Sequence, residues 1–129
     1  MSLIEPYNIE YKSPLLMKKI EAVVRKSKFK LVKKALLDAG YEHFSYFLVR
    51  NHSGEKETRM YRGVKYEPPA SEKIWLSISV SDDKTDDLIK IIIENGQTGN
   101  VGDGYIYVTE LSDVYRIRTG EHGDEAQKL

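Results

Sequence analysis

The stretch NGQTGNVGDGYIYV, Asn95 to Val108, holds four glycines within nine residues and then turns into an apolar alternation. Gly99, Gly102 and Gly104 permit positive φ and close backbone approach, so successive N–H groups can converge on an anion. Asp103, between two glycines, can equally hold a tight turn through its own carboxylate. A helix C-cap followed by a turn would explain the same glycines. Further along, VYRIRTGE places Arg116 and Arg118 two residues apart. Read as an extended segment, it puts both side chains on one face, roughly 7 Å apart. Two like charges so placed repel unless an anion sits between them, and guanidiniums match phosphate oxygens well. Glu110, Asp113 and Glu121 offer the plainer alternative of a salt-bridged surface. Two anion-seeking features near the end of one small chain point to a phosphorylated ligand more strongly than either does alone.

The rest of the chain's chemistry is sparse. His43, His52 and His122 show no metal-ligand spacing and read as surface or loop residues. No nucleophile elbow or paired catalytic carboxylate motif occurs, so no catalytic residue and no metal site are assigned, and an enzyme is disfavoured. The chain has no cysteine, which rules out disulfides, Cys-ligated zinc and thiol nucleophiles. Twenty basic residues balance twenty acidic ones, an argument against a dedicated nucleic-acid binder. No apolar run approaches the roughly 20 residues of a membrane span, and the start does not resemble a signal peptide. The expectation is a soluble cytoplasmic protein without direct membrane insertion.

The elements that must position these residues follow from periodicity. At 129 residues the chain is read as one domain, 17–129, preceded by an arm or linker at 1–16. KKIEAVVRK alternates Ile20, Ala22 and Val24 against Glu21, Val23 and Arg25, a strand with one buried face. SKFKLVKKALLDAG sets Phe29, Val32, Leu36 and Ala39 at helical spacing, with Ser27 as expected N-cap and Gly40 beyond the C-terminus. FSYFLVR returns to strand. In KIWLSISV, Ile74, Leu76, Ile78 and Val80 point inward, with Lys73, Trp75, Ser77 and Ser79 outward. A second helix is expected from SDDK, capped by Ser81, Asp82 and Asp83, through LIKIII to Asn95-Gly96. A strand at Tyr105 to Val108 and a short extended VYRIR complete the order. The α+β class follows: a ferredoxin-like βαββαβ sandwich with an extra short C-terminal strand. Some twenty residues between the second and third strands, NHSGEKETRMYRGVKYEPPA, lack apolar period yet carry Met60, Tyr61 and Tyr66, side chains suited to a partner.

With these residues in view, the chain resembles the PII family of signal-transduction proteins from about Met17 to Glu121. MKKIEAVVR resembles the family's start, YRGVKY its T-loop signature, TGNVGDG its B-loop and VYRIRTGE its C-terminal signature. The resemblance implies a homotrimer with adenine nucleotides, ATP or ADP and also AMP, in clefts between subunits, with Mg2+ as an accompanying ion. It makes the long loop a T-loop that reaches a transporter, a nitrogen-assimilation enzyme or another regulator, which would bring the protein to a membrane through its partner. Thr98, Gly99, Gly102, Asp103, Gly104 and Tyr105 then line the phosphates, with Arg116 and Arg118 reaching in from the adjacent subunit and Ser45 near the adenine. Lys73 and Arg25 match metabolite-binding positions. Tyr61, Arg62 and Tyr66 fall where partners are touched, and Tyr66 matches a tyrosine that some members have nucleotidylated.

The departures are specific. The family usually has lysine after GDG, where this chain has Tyr105, so triphosphate discrimination should weaken. No glutamine lies between Arg50 and Tyr66; Glu55 is nearest and would repel 2-oxoglutarate, so sensing of that keto acid is disfavoured. Lys73 could instead pair with Glu72 or Asp83, and Lys65 stands where an acid is common. These changes point partway to a divergent sensor of adenylate charge and another metabolite, outside nitrogen control. The arm leaves room for attachment to a larger protein such as a transporter. A nucleotide-independent metal-tolerance trimer of the same shape is the rival reading, against which TGNVGDG and RIRTGE count.

Overall fold

The computed structural model describes residues 16–52, 59–66, 71–123 and 126. The alternation at the start forms β1 (Met17–Arg25), which runs directly into α1 (Lys26–Asp38). Arg25 is the N-cap and makes no side-chain capping bond, so Ser27 lies inside the helix and is not its cap. The other end follows the glycine rule. Gly40 takes φ +92°, its amide donates to the Leu37 carbonyl, and the Tyr41 amide donates to the Leu36 carbonyl. That pairing is a Schellman motif, which satisfies two carbonyls the helix would otherwise leave open.

The edge strand β2 (Ser45–Asn51) follows, then the short strands β3 (Arg59–Tyr61) and β4 (Val64–Tyr66), which pair with each other. Arg62 and Gly63 join them with φ of 50° and 81°, the double positive φ of a type I′ hairpin turn. A two-stranded ribbon thus stands within the segment that lacked period. The long β5 (Ser71–Ser81), a single 3-10 turn (Asp82–Lys84), α2 (Thr85–Gly96) and β6 (Tyr105–Glu110) complete the elements. Ser81 precedes the 3-10 turn without a side-chain capping bond, and Asp86 and Asp87 occupy the first turn of α2 proper. Negative charge near the helix N-terminus is met by these residues as well as by Asp82 and Asp83.

The main sheet has the order β2-β5-β1-β6, with every neighbouring pair antiparallel. Two helices on one face of such a sheet give the ferredoxin-like arrangement the element order implied. Ile20, Ala22, Val24, Leu76 and Ile78 meet Val32 and Leu36 of α1 and Leu88 and Ile92 of α2 in one buried cluster. Burying each such large aliphatic side chain favours folding by about 1.5–3 kcal/mol. Phe29, on the same stripe as Val32 and Leu36, packs against the margin of that cluster, whereas Ala39 is exposed.

Two expectations are corrected. No C-terminal strand forms among the described residues: VYRIR makes a single antiparallel bridge, Tyr115 with His122, around a turn at 117–119. The Gly120 amide donates to the Arg116 carbonyl at 2.8 Å, which closes the chain on itself instead of letting it extend. Lys73, expected outward, does lie on the helix-free face, but not open to solvent: the glycine loop covers it and leaves it 5% exposed. Apart from Leu16, whose carbonyl accepts the Asp82 amide, the N-terminal arm lies outside the described residues.

Candidate functional site

Arg25 ends β1, and its direct cross-strand partner on β5 is Lys73. Like charges placed opposite one another destabilise a sheet unless acceptors meet them. The glycine loop supplies those acceptors. Arg25 Nε donates to Asp103 Oδ1 at 2.8 Å, Arg25 Nη2 to the Val101 carbonyl at 2.8 Å, and Lys73 Nζ to the Gly102 carbonyl at 2.5 Å. Neither Glu72 nor Asp83 is the partner seen for Lys73 in these contacts.

Asp103 organises the loop from within. Its Oδ1 accepts the Thr98 hydroxyl at 2.6 Å, and its Oδ2 accepts the amides of Thr98 at 2.8 Å and Gly99 at 2.9 Å. The Asn100 amide donates to the Thr98 hydroxyl oxygen at 3.1 Å. The Thr98 hydroxyl, then the Arg25 guanidinium, then these amides hold the Asp103 carboxyl well below the usual carboxylate range. The turn-stabilising role of Asp103 is therefore the one the structure displays. It consumes the Thr98 and Gly99 amides, while the amides of Val101, Gly102 and Asp103 make no hydrogen bond among the described residues. Thr98 and Gly99 thus build the loop, and any anion must be met further along it.

Glycine is required at two points. A Cβ on Gly104, at φ +100°, would lie 1.7 Å from the Val23 carbonyl oxygen, so the loop returns to the sheet against bare backbone. Gly102, also at φ +100°, has the Arg25 guanidinium 3.1 Å from its Cβ position. Tyr105 follows as the first residue of β6, 69% exposed, with its ring 6.4 Å from that of Tyr107.

Ser45 lies away from this loop, at the start of β2, where it pairs directly with Ser77 of β5. The two serines line an open groove with His43, Phe44 and Ser79. Lys73 and Ser77 are four residues apart on one strand and share a face, so groove and loop are separated by about 13 Å at strand rise. Between them Phe47 stacks on Trp75, and Trp75 on Tyr107, at centroid distances of 6.3 and 6.0 Å. Trp75 Nε1 donates to Glu21 Oε2 at 2.9 Å, which fixes the indole across β1. The helix-free sheet face is thus an aromatic ladder, with Phe47 and Tyr107 about half exposed.

Arg116 and Arg118 fall in the C-terminal turn and not along a strand. The Arg116 amide donates to the Glu121 carbonyl at 2.7 Å, and its Nη2 to the Ala126 carbonyl at 3.3 Å. The shared extended face read from the spacing is therefore replaced by a closed turn, with Arg118 at its tip beside a fully exposed Ile117. Within the long loop, Arg62 sits exposed at the ribbon's turn. The side chains of Met60, Tyr61, Lys65 and Tyr66, and all of Glu55, lie outside what is described.

Sequence reasoning missed the Asp113–His122 contact at the base of the C-terminal turn, 3.0 Å from Oδ2 to Nδ1. Nine positions separate the two residues, and no periodicity links them. It also missed the pairing of Arg25 with Asp103, although the opposed cations at Arg25 and Lys73 would have signalled a need for acceptors once register was known.

Comparison with known proteins agrees with this geometry. A family model described as "Nitrogen regulatory protein P-II" matches residues 17–121. Proteins named Nitrogen regulatory protein P-II from Pasteurella multocida and Porphyra purpurea are each 39% identical, over 85% and 81% of this chain and 99% and 95% of their own lengths. Nitrogen regulatory protein P-II 1 of Escherichia coli is 38% identical over 85% of the chain. A crystal structure of Arabidopsis thaliana PII bound to citrate superposes with a TM-score of 0.68 at 34% identity, covering 85% of this chain and 91% of that one.

Proposed function

Because the chain belongs to the nitrogen regulatory protein P-II family of signal-transduction proteins, we propose that it binds adenine nucleotides and passes their state to a partner protein through the long loop. The observation that carries this reading is the preformed glycine loop. Its shape is fixed by Asp103, Arg25 and Lys73 before any ligand arrives, and the amides of Val101, Gly102 and Asp103 remain for phosphate oxygens. The groove at Ser45 and Ser77 lies about 13 Å along the same strand, a separation that a nucleoside with a phosphate chain spans.

The aromatic ladder supports assembly into a trimer. Phe47, Trp75, Tyr105 and Tyr107 form a continuous apolar face with no helix over it, and three copies packed by these faces would cover them. Arg116 and Arg118 then act on the glycine loop of a neighbouring copy, and the fully exposed Ile117 between them has a neighbour to pack on. The long loop contacts a transporter or a regulatory protein through Tyr61, Arg62 and Tyr66, which places the protein in the cytoplasm beside that partner. Among the described residues no helix is long and apolar enough to cross a membrane.

Tyr105 supplies no cation at the end of the loop, so AMP and ADP compete well with ATP, and Mg2+ serves the phosphates without a dedicated protein cage. Lys73 already donates to the Gly102 carbonyl and is buried under the glycine loop, so a 2-oxoglutarate carboxylate has little access to it, which disfavours keto-acid binding. Calorimetry of the full chain with AMP, ADP and ATP, with and without Mg2+ and 2-oxoglutarate, tests the proposal. Adenylate binding that weakens at least tenfold in the Arg116→Ala, Arg118→Ala double variant is expected. An absence of heat with every adenylate would refute it, and tight ATP binding strengthened by 2-oxoglutarate would overturn the metabolite assignment.

A further inference from the structure

Among the described residues, the turn that carries Arg116 and Arg118 has no fully buried apolar side chain. Tyr115 is 65% exposed and Ile117 fully so, and hydrogen bonds with one ring stack fix its course. Those bonds converge on its base. Asp113 Oδ1 accepts the amides of Val114 at 2.8 Å and Gly123 at 3.1 Å, and Asp113 Oδ2 meets His122 Nδ1 at 3.0 Å. The Tyr115 ring stacks on the His122 imidazole, with centroids 5.1 Å apart and planes 19° from parallel. The Gly123 amide also donates to the Val114 carbonyl, and the Arg116 amide to the Glu121 carbonyl. Burial works to raise the Asp113 carboxyl, but the Val114 amide, His122 and the Gly123 amide together bring it below its ordinary value.

We propose that Asp113 and His122, with Tyr115 stacked on the imidazole, are positioning residues for the phosphate-binding arginines: they close the base of the turn and so set where Arg116 and Arg118 stand. The inference rests on the nucleotide reading given above. A side chain carried on a turn without a core is located by the anchors at the turn's base. Opening those anchors spreads the guanidiniums over many positions and lowers the share that can meet a phosphate. His122, which the sequence offered as an ordinary surface residue, acquires a task through Asp113 that touches no ligand.

The test is ATP calorimetry on full-length native protein, His122→Ala, Asp113→Ala, the double variant and His122→Asn. The asparagine amide can donate from nearly the position of Nδ1. About two- to fivefold weaker ATP binding is expected for each alanine variant, the range of a partly exposed pair. The double variant should be no weaker than the worse single one, and His122→Asn should return to within about twofold of native. In an Arg116→Ala, Arg118→Ala background, His122→Ala should change nothing further, whereas a merely structural role would still weaken the residual affinity. Native-like affinity in both alanine variants, additive losses, or no rescue by asparagine would overturn the proposal and leave nucleotide binding standing. Failure of the native chain to bind ATP would overturn both.

Discussion

Gly104→Ala puts the close return of the glycine loop to a direct trial. The new Cβ would stand 1.7 Å from the Val23 carbonyl oxygen, and the backbone must retreat by about 1.3 Å to reach even 3.0 Å, a contact real Cβ atoms barely tolerate. Val23 is 4% exposed, and its β6 partner is Tyr105, so that retreat comes at the last described pair of the β1–β6 ladder. Positive φ costs a side-chain-bearing residue about 1–2 kcal/mol. Loosening the adjoining buried ladder bond adds about 1–2 kcal/mol. The expected loss is about 2–4 kcal/mol, a large part of the roughly 5–15 kcal/mol that holds a domain together. Urea unfolding at fixed protein concentration reads it, with an m-value of about 1–3 kcal/mol/M converting it to a midpoint lower by roughly 1–2 M. Gly99→Ala is the control: φ is +85° but a Cβ there meets nothing within 4 Å. That variant bears the backbone term alone, about 1–2 kcal/mol. Equal midpoints for the two variants would refute the close-approach reasoning, because they would leave backbone strain as the whole effect.

Asp103→Asn keeps the shape of the loop's central side chain but removes the charge that Arg25 and the Thr98 hydroxyl meet; ATP affinity should fall about tenfold, as charge-assisted bonds warrant, and calorimetry measures it. Since the folded-state carboxyl is depressed, its contribution is complete above the ordinary carboxylate range and is lost as pH falls through the depressed value. The Asp103 carboxyl carbon should therefore remain ionised at about pH 3.5 in an NMR titration, where an unperturbed aspartate is largely protonated. Burial, then its hydrogen bond to Asp87, pushes the Tyr41 phenol up to about 12. The raised value means its contribution is whole below the ordinary phenol pKa of about 10 and is lost as pH rises through 12. Absorbance near 295 nm should show a late-titrating tyrosine that Tyr41→Phe removes. Leu36→Ala empties a fully buried site at the centre of the α1–sheet contact and should cost about 2–5 kcal/mol in the same urea assay.

Most of the fold was legible because its signals are local. The alternation in KIWLSISV and the 3.6-residue spacing of Val32 and Leu36 declare their buried faces without knowledge of neighbours. The end of α1 at Gly40 followed from the same local rule. Misreadings arose where a distant group decides the outcome. Lys73 looks like an outward residue by parity, yet a loop some thirty positions away lies over it. Ser27 has the chemistry of a cap, but the strand passes into the helix before reaching it. VYRIR alternates like a strand, but Asp113 and Glu121 bend it into a turn, and neither the period nor the composition carries that information. The glycine loop held both kinds of signal: its positive φ values were readable from glycine placement, while its attachment to Arg25 depended on strand register.

The outer strand β2 carries a consequence beyond ligand binding. Its sequence, SYFLVRN, has one charge in seven residues, and Tyr46, Phe47 and Leu48 are all about half exposed along it. An open strand edge of that composition is a ready template for another strand, which natural proteins usually blunt with charge, proline or a covering element. Were copies of this chain to associate as proposed above, that association would double as protection against misassembly. Dilution or an interface substitution would then be felt first as turbidity and lost yield, before any defect in signalling could be measured.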